Sequence, residues 1–268
     1  MSTYDQYSEV NLVRSLVLYA WATTTDMVRA RDIFDLLAGE VGRPPDIATV
    51  LEEKKGRDYL YKNFVKRDVI HQKDWVRFGY LWKRKEDVLS DFAIEFHFVP
   101  GKFRRVSVHI DEAAVDDPSK VNKRIVRRLV DAFQPIYGIG YTMPYYWGPR
   151  AFADGTISTR FSSVDRTFYG VPEHVRKQSH AFRGIYLTDS DKRNLDHMLR
   201  DVFEINFLSQ GHLDRQVEGQ TLRDWIDGNA FGTLQQLTPR CWRWDVPNEE
   251  IPEIRGALIE AGLTVVRE

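Results

Sequence analysis

The feature that most constrains this fold is a pair of neighbouring segments in which apolar and polar residues alternate. Alternation runs through Asp91–Val99 and again through Phe103–Ile110. Each pattern places the large apolar side chains on one face of an extended strand. Pro100, Gly101 and Lys102 lie between the two segments and favour a tight turn. The sequence therefore predicts a β-hairpin whose apolar face must be covered by another layer.

Three segments have the apolar spacing of amphipathic helices and can supply that layer. They are residues 26–38, 118–133 and 250–261, and apolar residues recur in each at intervals of three and four. We expect an α+β protein with an antiparallel or mixed sheet built from 91–110, 137–141, 203–208 and 241–246. Asn11–Ala22 predicts a further strand. The whole chain, 1–268, is expected to form a single α+β domain, with two similar ferredoxin-like halves (1–141 and 142–268) as the alternative.

The C-terminal stretch Leu199–Val266 is the part of the chain with the best-defined boundaries. Ser209 follows an apolar run and is a helix N-cap candidate. Gly219 predicts a break between two short elements, and Gly262 predicts a left-handed helix C-cap. Leu263–Val266 is expected to form a closing strand. Upstream, Ala151–Phe182 is interpreted as a polar linker with a short helix near Pro172, and Ile185–Thr188 as a short strand.

The charge balance does not direct the chain towards nucleic acid or membranes. The 268 residues carry 38 basic and 39 acidic side chains, a net charge of −1. Such a balance gives no long-range attraction to a polyanion. The single cysteine, Cys241, rules out an internal disulfide framework and is typical of a reducing compartment. The first residues lack the basic and apolar regions of a signal peptide. We therefore expect a cytoplasmic location and no membrane partner.

No arrangement of residues in the sequence predicts catalytic chemistry. His97 and His109 lie on the two strands of the hairpin, and Asp111 or Glu95 could complete a metal site with them. Histidines at such positions are more often structural than ligating, and no Ser-His-Asp or Cys-His set can be proposed. The expectation is a protein that is not an enzyme, with no catalytic residues, no bound metal and no cofactor.

A basic and aromatic segment offers an alternative function. Between Lys54 and Lys85 there are eleven basic residues against three aspartates. Seven aromatic residues are interleaved with them: Tyr59, Tyr61, Phe64, Trp75, Phe78, Tyr80 and Trp82. Basic and aromatic residues together are typical of single-stranded nucleic-acid binding. The competing interpretation, which we favour, is a solvated basic face with the aromatic side chains turned into the core.

The segment Tyr137–Arg150 is the strongest candidate for a recognition surface. Pro144, Gly148 and Pro149 restrict its conformation, which lowers the entropy lost on binding. Tyr and Trp combine a large apolar area with a polar tip, and Arg adds planar hydrogen bonding. The predicted protein-binding residues are Tyr141, Tyr145, Tyr146, Trp147 and Arg150. The alternative is that the loop packs down and closes one end of the core.

The layout of the last part of the chain resembles a bacterial family of immunity proteins linked to type VI secretion and polymorphic toxins. The similar features are the helix and glycine-containing strand of Pro118–Tyr141, the apolar run Val202–Leu208 with Leu213, Gly219 and Leu222 after it, and the segment Trp242–Val266. The resemblance implies a cytoplasmic, non-catalytic protein that binds and neutralises a cognate toxin. Two alternatives stay open: a protein that acts on or binds nucleic acid through residues 54–85, and a structural component of a phage or secretion system.

Overall fold

Within the part of the chain that is described, the fold is built on an antiparallel sheet of ten strands, seen in a computed structural model. The structure describes residues 12–21, 27–52, 55–69, 75–83, 90–99, 103–157, 171–188 and 195–267. The strands in the sheet are β1 (Leu12–Trp21), β2 (Ile47–Glu52), β3 (Lys55–Leu60), β4 (Arg77–Lys83), β5 (Ser90–Val99), β6 (Phe103–Asp111), β7 (Pro135–Pro144), β8 (Ile205–Leu208), β11 (Thr233–Thr238) and β12 (Cys241–Asp245). Their order is β11-β12-β8-β7-β1-β6-β5-β4-β2-β3.

Helices pack on both faces of this sheet. They are α1 (Met27–Val41), α2 (Tyr61–Lys66), α3 (Pro118–Phe133), α4 (Pro149–Ala153), α5 (Glu173–Thr188), α6 (Gln210–Leu213), α7 (Leu222–Asn229) and α8 (Ile251–Glu260). A separate two-stranded hairpin consists of β9 (Gln216–Val217) and β10 (Gln220–Thr221). Within the described residues, no helix is both long enough and apolar enough to cross a bilayer.

The first face of the sheet carries one hydrophobic core. The apolar positions of β4, β5 and β6 point to this face and are covered by α1 and α3. Phe78 stacks on Phe34 of α1 at 5.2 Å and on Phe64 of α2 at 5.6 Å between ring centroids. The α3 helix begins where the sequence predicts, because Asp117 caps it and Pro118 occupies its first turn.

The second face is divided between an apolar half and a polar half. Side chains of β1, β7, β8 and β12 form a second core with α5, α7 and α8. On β4, β5 and β6, by contrast, the residues facing this side include Arg77, Glu95 and Arg105. The segment from Tyr145 to Ile157, which contains α4, packs against this polar half. The architecture thus buries a set of charged side chains beside the second core.

The predicted α+β class is confirmed, and the hairpin strands, the three amphipathic helices and the C-terminal strand at 241–246 are observed. The predicted turn at 100–102 lies outside the described residues. The boundary suggested for two halves, between residues 141 and 142, falls inside β7. Gly262 has the left-handed φ of +69° expected of its position.

Three local expectations were wrong. Ile185–Thr188 ends α5 instead of forming a strand, because the helix continues from Glu173 without a break. Within 151–182, the described residues belong mainly to α4 and α5, so the helical content exceeds the single short helix expected near Pro172. Leu263–Val266 forms only an isolated parallel bridge, Leu199 with Thr264, although its apolar side chains are buried in the second core.

Candidate charged pocket

A buried carboxylate is the centre of the polar half of the second face. Glu95 projects from β5 and is fully buried. Its Oε1 accepts a hydrogen bond from Nη2 of Arg77 at 2.5 Å and another from Nη2 of Arg150. Its Oε2 lies 3.7 Å from Nη2 of Arg105. Burial opposes ionisation, but the three guanidinium groups outweigh it and hold the pKa of Glu95 well below its ordinary value.

The geometry of the sheet explains how Glu95 fits into this position. On the neighbouring strand it pairs with Gly79 of β4. A Cβ atom at Gly79 would lie 2.7 Å from the carbonyl oxygen of Ile94 and 3.2 Å from Cγ of Glu95. Glycine is therefore required there for the close approach of β5 and for the space that the stem of Glu95 occupies.

Arg105 is the fully buried cation of the cluster. It projects from β6, and its Nε lies 2.9 Å from a carboxylate oxygen of Asp154. Its Nη1 donates a hydrogen bond to the hydroxyl of Ser107 at 3.2 Å. Arg105 thus joins the sheet to the turn that follows α4, and its charge is balanced by two carboxylates, Glu95 and Asp154. This compensation is what a guanidinium needs when it is removed from water.

The two candidate metal-binding histidines belong to the same face but do not converge. His97 pairs with Arg105 across the β5–β6 ladder, whereas His109 pairs with Ala93. Burial lowers the pKa of His97 to about 4 and that of His109 to about 3, so both rings are neutral at pH 7. Nδ1 of His109 lies 2.9 Å from the hydroxyl of Ser15.

The third residue considered for that site has a separate structural role. The Asp111 side chain accepts a hydrogen bond from the backbone N–H of Ala113 at 2.9 Å and caps a short helical turn. No group of three or more His, Cys, Asp or Glu side chains placed to hold a metal occurs among the described residues. His97, His109 and Asp111 therefore do not come together as one group.

A pocket opens beside the charged cluster. Its volume is about 260 Å³, and its lining consists of Arg77, Tyr145, Gly148, Pro149, Arg150, Ala151, Asp154 and Thr156. Arg77 and Arg150 have side chains that are 30% and 32% exposed, while the carboxylate that fixes them is fully buried. A buried carboxylate therefore holds both side chains, which are partly exposed where they line the pocket, while Nε of Arg150 is buried.

The predicted recognition residues differ in how much of each side chain is exposed. Tyr141 is buried, with its hydroxyl donating to the carbonyl of Pro149 at 2.7 Å, so it supports the loop and offers little surface. Tyr145 and Trp147 are half-buried, and Trp147 packs against the second core. Arg150 lines the pocket. The Tyr146 side chain lies outside the described part. The assignment of this segment to protein binding stays a prediction.

The described aromatic residues of the basic and aromatic segment turn towards the first core. Phe64, Trp75, Phe78, Tyr80 and Trp82 are all buried in the first core and cannot stack on bases. Tyr59 and Tyr61 also pack against that core. The favoured interpretation, aromatic side chains turned inward, is confirmed for these residues. The physical reason is that Phe78, Tyr80 and Trp82 alternate along β4 and so share its covered face.

Sequence reasoning named Glu95 and Arg150 separately but missed that they meet Arg77 and Arg105, although a signal was present. Arg105, Ser107 and His109 occupy the positions of β6 that alternate with its apolar residues, and Glu95 and His97 do the same on β5. Such positions usually face solvent. Here a segment 55 residues downstream of Glu95 covers them, and only the tertiary structure shows that contact.

The fold and site together define an α+β protein with an open antiparallel sheet and a charged pocket on one face. No family model and no curated protein sequence matches the chain. Among solved structures, it is similar to the Pseudomonas aeruginosa T6SS protein PA0821. That likeness has a TM-score of 0.60 and 10% sequence identity, and it covers 95% of this chain and 77% of the other. At this identity the likeness concerns the fold alone.

Proposed function

We propose that this chain is a non-catalytic, cytoplasmic protein-binding protein of the immunity type, which neutralises a cognate bacterial toxin by binding to it. The observation that supports the proposal most is the fold likeness to a T6SS protein over nearly the whole chain. It agrees with the type VI secretion context that the layout of the C-terminal part suggests.

The pocket and its rim supply a suitable binding surface. Tyr145 and Arg150 line the pocket, and half-buried Trp147 lies between them in the chain. Tyr, Trp and Arg are the residue types that most often dominate interface energies. The hydroxyl of buried Tyr141 holds the carbonyl of Pro149, and the N–H of Gly148 donates to the carbonyl of Tyr145 at 3.0 Å. A segment fixed in this way loses little conformational entropy when a partner binds.

The electrostatics favour binding over catalysis. A general acid or base works best when its pKa is close to the working pH. The low pKa of Glu95 keeps it ionised at pH 7, and both described hydrogen bonds to its Oε1 come from arginines. His97 and His109 stay neutral over the physiological range. These groups suit a fixed charge arrangement better than proton transfer.

The proposal is tested by growth rescue. The open reading frames adjacent to this gene are expressed one at a time in a bacterial host, with and without this chain. We expect one product to arrest growth and this chain to restore it, with a stable complex on co-purification. If no adjacent product is toxic, or if growth stays arrested despite soluble expression of this chain, the proposal is wrong.

A single substitution tests the predicted surface within that assay. Trp147→Ala should weaken the complex by about 2 kcal/mol or more if the residue is an interface anchor. Leu36→Ala is the matched control, because Leu36 is a large apolar residue that is 62% exposed on α1. Affinity is measured by calorimetry and the midpoint of thermal unfolding by circular dichroism. A large fall in the thermal midpoint of Trp147→Ala with unchanged affinity would show a core role instead.

A further inference from the structure

The charged pocket combines two accessible guanidinium groups with a buried carboxylate that fixes them. Arg77 donates from Nη2 to Glu95, and Arg150 donates from its own Nη2 to the same oxygen. Each guanidinium has five N–H donors, so both keep further donors for a ligand. Because Glu95 is fully buried and ionised, it keeps the two side chains in place before any ligand arrives.

The charges around the pocket leave a positive excess. Among the described residues, three cations, Arg77, Arg105 and Arg150, surround two anions, Glu95 and Asp154. Arg105 lies at the buried end between the two carboxylates. The uncompensated charge is therefore associated with Arg77 and Arg150, which are the cations that line the pocket. In a partly enclosed site this charge attracts an anion more strongly than it would in bulk water.

We propose that this pocket receives the carboxylate of one acidic side chain, Asp or Glu, from a protein partner. A guanidinium matches a carboxylate in shape and forms short charge-assisted hydrogen bonds with it. The inference that the partner is a protein rests on the function proposed above. The predicted contact is a carboxylate bridging Arg77 and Arg150, with the Tyr145 ring beside it.

The size of the pocket favours a single small anionic group, such as a carboxylate, over a nucleotide. A volume of about 260 Å³ is below the range of about 300–1,000 Å³ that is usual for drug-sized ligands. It is sufficient for the end of one side chain. The carboxylate of Asp154 also lines the pocket. The comparison with inorganic phosphate in the test below distinguishes a carboxylate from a phosphate group.

The test uses the free protein and a defined probe, so it does not depend on the identity of the partner. The probe is N-acetyl-glutamate N-methylamide, and the neutral comparison is its glutamine analogue. Binding is followed through the Nε–H signals of Arg77 and Arg150 in nitrogen-15 NMR spectra, assigned with the Arg77→Lys and Arg150→Lys variants. Ionic strength is held constant with sodium chloride. We expect saturable shifts of both signals with a Kd on the order of 1 mM, equivalent to about −4 kcal/mol.

Matched variants separate the pocket from general charge effects. Arg77→Gln should weaken the probe's binding by about tenfold, equivalent to about 1.4 kcal/mol. Arg14→Gln should leave it unchanged, because Arg14 forms an ion pair of similar exposure with Glu112 outside the pocket. If Arg77→Gln does not fold, Arg77→Lys takes its place and should also bind the probe more weakly, because lysine lacks the planar fork.

Three results would overturn the proposal: no saturable shift with the glutamate probe, equal shifts with the glutamine analogue, or tighter binding of inorganic phosphate than of the glutamate probe. Growth rescue is scored separately. A chain that binds the probe but rescues no adjacent toxin would refute the proposed function and leave the carboxylate site standing. Rescue without probe binding would refute only the site.

Discussion

Replacing Glu95 with glutamine should destabilise the fold more than any change at a surface ion pair. The substitution keeps the shape of the side chain but removes the charge that balances the buried Arg105 and fixes Arg77 and Arg150. Breaking a buried ion pair by neutralising one partner costs about 3–5 kcal/mol. Arg105 keeps Asp154 as a counter-ion at 2.9 Å, and the other two arginines are a third exposed, so we expect the lower end of this range.

The assay is chemical denaturation at pH 7, with thermal unfolding in parallel. Unfolding entropy of about 2.1 cal/mol/K per residue, applied to a chain of 268 residues, converts 3 kcal/mol into a fall in thermal midpoint of about 5 °C. The control is Glu112→Gln, which disrupts the 2.6 Å ion pair with Arg14 where both side chains are partly exposed. We expect that control to cost about 0–1 kcal/mol.

The pH dependence gives a second, independent measurement. The pKa of Glu95 is lowered on folding, so its ionised form stabilises the folded state above the ordinary carboxyl pKa of 4.5. This stabilisation is lost as the pH falls through the folded pKa. The stability difference between the wild type and Glu95→Gln should therefore be constant near neutral pH and narrow in acid. The reasoning is refuted if Glu95→Gln costs no more than Glu112→Gln, or if the difference does not narrow below pH 4.5.

Three further predictions concern other parts of the fold. Arg200 is buried, stacks on Phe182 at 4.0 Å and donates to the carbonyl of Phe152, so Arg200→Lys should cost about 2 kcal/mol or more in urea denaturation. Gly79→Ala should also lower the denaturation midpoint, because its Cβ meets the rigid backbone of Ile94, whereas Gly256→Ala on α8 has free space and should not. Burial raises the pKa of the Cys241 thiol to about 12, so a thiol reagent at pH 8 should label it only after unfolding, and rapid labelling of the native protein would contradict this.

The elements that the sequence predicts well are those whose signals are local. The α3 helix is an example: Asp117 and Pro118 mark its start, and its buried residues recur on one face. The β5–β6 hairpin is another, since the apolar alternation of each strand is complete within nine or ten residues. The signal for each of these elements depends only on residues that are close in the chain and on the presence of one apolar face.

The candidate site is not local, which is why the sequence did not predict it. Glu95, Arg77 and Arg105 meet because β4, β5 and β6 adopt one particular register, and Arg150 arrives only after β7 has returned through the sheet. Polar residues that alternate with apolar ones along a strand usually face water. In this chain the segment from Tyr145 to Ile157 lies over them. The sequence does not show that this segment covers the strands. Buried and solvent-exposed charged residues therefore have the same pattern in the sequence.

The distribution of charge along β6 explains why the cluster leaves a positive excess at one end only. Arg105 lies between the carboxylates of Glu95 and Asp154, whereas two positions further on Ser107 is neutral, and after another two the buried ring of His109 has a pKa of about 3. Asp111, two positions further still, is buried and caps a helical turn at the other end of β6, so the buried cation described on this face of β6 is Arg105, at the end that α4 covers. If Arg77 and Arg150 served only to balance the charge of Glu95, their side chains could be as fully buried as that of Arg105. That Arg77 and Arg150 instead reach the pocket, with donors to spare, indicates an arrangement that keeps positive charge accessible to a ligand.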